Sequence, residues 1–109
     1  VLGDRNKEVA TSYNNIGNVY EKLGKYASAL AYLNLSLEMR KELLGERHPH
    51  LASTYNNIGI VYERQRNVEL ALANYHLSLK MWKEVLGERH PEVATSYNNI
   101  GQFYRKQGK

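Results

Sequence analysis

The chain repeats itself every 42 residues. Tyr13-Asn14-Asn15-Ile16-Gly17 returns as Tyr55-Asn56-Asn57-Ile58-Gly59 and again as Tyr97-Asn98-Asn99-Ile100-Gly101, and LGERHP at Leu44 to Pro49 returns at Leu86 to Pro91. Residues 9–50 and 51–92 align without a gap and are identical at 24 of 42 positions. A unit this short cannot bury its apolar surface alone, so a periodic sequence of this kind folds by stacking each unit on its neighbours. The period divides residues 1–109 into the end of a preceding helix (1–5), repeat 1 (about 6–47), repeat 2 (about 48–89) and the first helix of repeat 3 (about 90–109). Val1 to Arg5 is assigned by its match to Val85 to Arg89. On this reading the whole chain is one array, with further units expected beyond both ends.

Within a unit the apolar residues are spaced for helices. Ala10, Tyr13, Ile16, Gly17 and Tyr20 lie along one stripe of a first helix. Tyr26, Ala29, Leu30, Leu33, Leu37 and Leu44 lie along one face of a second, and Tyr32, Ser36, Met39 and Leu43 form an adjacent stripe. Two stripes suit a helix that packs against its own partner and the next unit. Pro49 and Pro91 fit a first helical position, which needs no N–H. Gly24, Gly45, Gly87 and Gly108 read as stops; in repeat 2 the place of Gly24 is taken by Arg66, with Asn67 next to supply the left-handed backbone. The expected helices span about 6–22, 26–44, 49–65, 68–86 and 91–107. Gly17, Gly59 and Gly101 stand mid-helix, where glycine costs roughly 1 kcal/mol against alanine, so a second helix is expected to press on each.

These residues resemble the signature of tetratricopeptide repeats. It reads here as Tyr13, Ile16, Gly17, Tyr20, Ala29 and Leu33, then as Tyr55, Ile58, Gly59, Tyr62, Ala71 and Tyr75. The long period and the LGERHP connector are similar to the kinesin-light-chain type. Ser36 and Ser78 replace the family's second small residue, and the terminal proline comes later, at Pro49 and Pro91. The resemblance implies an all-α, right-handed solenoid of stacked antiparallel hairpins, about five helices long, whose first helices line a concave groove. It implies a protein–protein interaction scaffold that holds an extended peptide. Fold alone does not carry function, so the residues of the groove matter.

The polar face of the first helices holds Asn14, Asn15, Asn18 and Lys22, then Asn56, Asn57 and Arg64, then Asn98, Asn99 and Lys106. The resemblance assigns peptide-backbone binding to Asn15, Asn57 and Asn99. A side-chain amide offers donors and an acceptor together, which suits a peptide unit. The competing reading is that these asparagines bond to one another within or between units. Lys22, Arg64 and Lys106 share one repeat position; as a row they would favour an acidic partner, and as a solvated face they would do nothing specific. An architectural alternative is self-association through the array ends, where Ile100, Phe103 and Tyr104 lack a following helix.

The remaining classes find little support. A net charge of +4 is mild, and no aromatic interleaves with the basic row for base stacking, so nucleic acid is not the expected partner. Mean hydropathy is −0.62, and no apolar run approaches the ~20 residues of a membrane span. With no cysteine, no thiolate site exists. His48 and His50 flank Pro49 without a third ligand, and His48 and His90 are one period apart, so capping or connector packing is expected rather than metal. No nucleophile, phosphate loop or carboxylate pair suggests catalysis, and no cofactor is implied. Without cysteines or a secretion signal, a cytoplasmic location is expected.

Overall fold

The computed structural model describes residues 6–108. It contains five helices in this span: α1 (Lys7–Lys22), α2 (Tyr26–Leu44), α3 (Pro49–Arg64), α4 (Val68–Leu86) and α5 (Pro91–Lys106). Every bound lies within one residue of the one expected from the periodicity. The helix end expected at 1–5 falls outside the described residues. Helix α1 pairs with α2 and α3 with α4, while α2 packs on α3 and α4 on α5. The result is a slab of 48 × 34 × 18 Å. It holds two cores in series, not one centre.

The first core joins Ala29, Leu33 and Leu37 of α2 to Leu51, Ile58 and Val61 of α3. The second repeats it one period later, with Ala71, Tyr75 and Leu79 against Val93, Ile100 and Phe103. Equivalent residues therefore differ in burial according to which helix lies beside them. Ile58 is 3% exposed under α2, whereas Ile16, at the same place in α1, is 39% exposed. Val61 is fully buried and Val19 is 56% exposed. No described helix precedes α1. Of the three residues expected to be partly uncovered for want of a following helix, Ile100 and Phe103 are instead buried against α4, while Tyr104 is exposed, as is Tyr97.

Hairpin closure depends on the mid-helix glycines and two serines. A Cβ on Gly17 would lie 2.7 Å from Leu33 Cγ and 3.2 Å from the Ala29 carbonyl oxygen. On Gly59 it would lie 2.8 Å from the Tyr75 ring and 3.3 Å from the Ala71 carbonyl oxygen. At Gly101 it would meet nothing within 4 Å, so the expected helix contact is made at two of the three glycines. The buried Ser36 hydroxyl donates to the Ala10 carbonyl at 2.8 Å, and Ser78 donates to Ala52 at the same distance. These hydroxyls explain the departure from the family's small apolar residue: each ties a second helix to the first helix of its own hairpin.

The helix ends also follow local chemistry. Asn6 caps α1 by accepting from the Val9 N–H. His48 and His90 cap α3 and α5, each Nδ1 accepting from the N–H two residues on, with proline between. After α1, Gly24 takes φ 78°; its N–H donates to the Glu21 carbonyl, and Lys25 N–H donates to the Tyr20 carbonyl. The turn after α3 makes the same two bonds through Arg66 and Asn67. The left-handed residue there is Arg66, at φ 63°, and not Asn67, which instead caps α4 through the Leu70 N–H. The hydrogen-bond pattern fixes the geometry by position, so the residue at that position must adopt it.

Two stability tests follow from these contacts. Gly17→Ala and Gly59→Ala are each expected to lower the urea unfolding free energy by about 1–3 kcal/mol through overpacking. Gly101→Ala is expected to raise it by roughly 1 kcal/mol or less, through helix propensity. Equal effects at all three sites would contradict the packing. Arg66→Gly, which restores the residue used in the first turn, is expected to stabilise by roughly 0.5–1 kcal/mol, the left-handed penalty less the entropy cost of glycine.

Candidate functional site: the face of the first helices

The polar residues of α1, α3 and α5 lie along shallow recesses between neighbouring first helices. Asn18, Glu21 and Lys22 of α1 and Asn57 and Ile60 of α3 line a recess of about 220 Å³. Asn56 and Ile60 of α3 and Asn99, Gln102 and Lys106 of α5, among others, line one of about 200 Å³. Beside it, a recess of about 170 Å³ is bounded by Ser53, Asn56, Asn57, Thr95 and Asn99, with Trp82 and Glu92 at its edge. Asn15 and Asn98 are exposed and line none of these. Asn15 occupies on α1 the position that Asn57 and Asn99 hold on the next two first helices, but no described first helix precedes it.

Two of the asparagines bond to each other. Asn57 Nδ2 donates to Asn14 Oδ1 at 3.1 Å, from one repeat to the other. The bond uses one donor of Asn57 and one acceptor lone pair of Asn14, so the Asn57 oxygen and the Asn14 amide hydrogens remain for another group. Bonding between units therefore leaves polar groups on both residues unused.

The basic row is joined to carboxylates of the preceding repeat. Arg64 Nε lies 3.1 Å from Glu21, and Lys106 Nζ lies 3.4 Å from Glu63. Each cation pairs one period back, not with the glutamate beside it in sequence. Both pairs keep solvent-exposed cations, so their energy is small, but they set a carboxylate against two of the row's three cations. Glu63 also accepts from the Tyr75 hydroxyl at 2.6 Å. Burial and this carboxylate push the Tyr75 phenol pKa up, which keeps it a donor.

A polar feature on the flank of the stack gives no sequence signal as a site by itself. Arg40 of α2 is buried and donates from Nη1 to Thr54 Oγ1 at 2.7 Å and to the His50 carbonyl at 3.2 Å. It sits amid an otherwise apolar stripe, at the place where repeat 2 carries Trp82. That divergence between aligned repeats is the signal that marks it. Among the described residues no cluster of three His, Asp or Glu suits a metal, and no helix is long and apolar enough to cross a membrane.

Paired helices stacked at a constant step, with polar recesses between successive first helices, define a helical-repeat protein. Residues 8–72 and 50–109 each match the family model for the tetratricopeptide repeat, and the chain belongs to that family. This is a family of protein–protein interaction scaffolds. The fold is similar to that in the crystal structure of BtubC (BKLC) from P. vanneervenii, at a TM-score of 0.82 and 24% identity. The likeness covers 94% of this chain and 41% of that one, so the chain spans well under half of the other's length. No curated protein matches the chain.

One titration reports on the flank. His50 has its pKa lowered by burial, then by the charges of Arg40, His48 and Lys7. Its contribution to stability is complete above the ordinary value of 6.5 and is lost as pH falls through 6.5 toward the lower folded value. The stability of the wild type relative to His50→Gln is expected to decline from about pH 7 to about pH 5 in urea titrations. A difference that does not change with pH would show that neither burial nor the neighbouring cations shift the imidazole.

Proposed function

We propose that the recesses between successive first helices form a groove that binds an extended segment of a protein partner. The observation that carries this reading is the placement of Asn57 and Asn99, 42 residues apart in sequence, at recesses between adjacent first helices. Their amides suit the peptide backbone, which has the same donor and acceptor chemistry and is independent of side-chain sequence. Asn15 continues the series on α1, and Asn14, Asn18, Asn56 and Asn98 supply flanking polar contacts. Because Arg64 and Lys106 already face glutamates, an acidic segment gains most near Lys22, which has no carboxylate partner among the described residues. The protein acts as a scaffold and not as an enzyme, and the cytoplasm is the compartment we assign to it.

A second reading, end-to-end self-association, draws on the apolar residues exposed at the α1 edge, Ile16, Val19 and Leu23, and on Tyr97 and Tyr104 of α5. It predicts a mass that rises with concentration in sedimentation.

Peptides selected by display against the wild type provide the probe for the groove. Changing Asn15, Asn57 and Asn99 together to alanine is expected to weaken their binding at least tenfold in fluorescence anisotropy, about 1.4 kcal/mol, with helical circular dichroism unchanged. Undiminished affinity would place the partner elsewhere on the molecule.

A further inference from the structure

Arg40 is 6% exposed, yet no carboxylate among the described residues pairs with it. Its acceptors are all neutral: the His50 carbonyl, Thr54 Oγ1 and, at 3.4 Å from Nη2, Thr11 Oγ1. These leave Nε–H and one Nη2–H without an acceptor among the described residues. Burying a cation without a counter-charge is costly, and here the cation borders a recess of about 40 Å³ between the start of α1, the end of α2 and the start of α3. Lys7, Thr11, Leu43, Leu44 and His50 complete its walls. A single water needs roughly 10–15 Å³, so the recess admits a group of several heavy atoms. Two permanent cations and a hydroxyl face a space with no acid among the described residues of its walls.

The second repeat serves as an internal comparison. One period on, Lys7, Thr11, Arg40 and His50 become Pro49, Ser53, Trp82 and Glu92. The corresponding recess has Trp82 and Glu92 in its lining and no cation. The cationic set is therefore not a requirement of stacking. It belongs to the first interface alone.

We propose that this recess binds a phosphate oxyanion, with Arg40 and Lys7 supplying charge and Thr11 a hydroxyl donor. A phosphate dianion matches two cations in charge, and its several oxygens use donors spread over two helices better than a single carboxylate does. None of the asparagines proposed for the peptide groove lines this recess, so the two proposals are tested with different variants.

Thermal unfolding and calorimetric titration with inorganic phosphate test the assignment, using chloride at matched ionic strength as reference. The wild type is expected to show a saturable rise in Tm with phosphate. Arg40→Met is expected to abolish that rise. Lys7→Gln, at an exposed position that leaves the core untouched, is expected to weaken binding at least fivefold and keeps the test valid if the first variant fails to fold. A short phosphoserine peptide is the second ligand: at least tenfold tighter binding than phosphate assigns the oxyanion to a modified partner side chain, and equal affinity assigns it to the free ion. No saturable binding of either ligand, or a Tm rise retained in full by Lys7→Gln, would overturn the site.

Discussion

The close approach of the two helices in each hairpin is the contact on which the rest of the structure depends. At Gly17 and Gly59 a missing Cβ lets a second helix lie with its backbone oxygen and a bulky side chain directly against the first. The Ser36 and Ser78 hydroxyls then tie the same pairs of helices together further along, each onto a buried alanine carbonyl. One device sets the separation of the helices and the other sets their relative slide. With both fixed, the second helix presents Leu33 and Leu37, or Tyr75 and Leu79, to the next unit in a constant orientation. Constant orientation is what makes the hairpins stack at a regular step, and the regular step puts Asn57 and Asn99 at successive recesses.

Much of this was legible in the sequence because a repeat displays its own constraints. Helix bounds followed from periodicity, proline and glycine, which act within a few residues. Two glycines were correctly tied to helix contact because no local reason for a mid-helix glycine exists. The third, Gly101, shows the limit of that inference: identical local sequence does not guarantee an identical neighbour, and Ile16 and Ile58 make the same point through their burial. Arg66 shows a different limit. A turn that closes by backbone hydrogen bonds dictates dihedral angles by position, and an arginine adopts φ 63° because its neighbours make both bonds. The residue with the better intrinsic tolerance, Asn67, sits one place too late.

The polar face was less legible because its side chains choose partners across repeats. Glu21 and Glu63 stand next in sequence to Lys22 and Arg64, which suggests local neutralisation. On a helix, however, adjacent residues point some 100° apart, and the stacking step brings Arg64 to Glu21 and Lys106 to Glu63 instead. The bond from Asn57 to Asn14 arises in the same way, across two helices and from positions that do not correspond in the repeat. Nothing in one unit's sequence encodes these pairs. They are properties of the interface between units.

That distinction explains where the two repeats diverge. Many residues that close a hairpin or cap a helix are kept from unit to unit: Gly17 and Gly59, Ala29 and Ala71, Ser36 and Ser78, His48 and His90, Pro49 and Pro91. Some residues that face the next unit differ, Leu33 against Tyr75, Arg40 against Trp82 and Val61 against Phe103, so the two interfaces acquire different chemistry on the same frame. The first buries Arg40, which reaches Thr54 and the His50 carbonyl of the next unit. The second has Tyr75 edge-on to Phe103 at 5.7 Å, with its hydroxyl on Glu63 and Lys106 on the other carboxylate oxygen. The alternation of glutamate and cation ends there: the position of Glu21 and Glu63 is Arg105 in α5. A further unit stacked on α5 would meet a basic pair, Arg105 and Lys106, where the earlier units meet an acid beside a base.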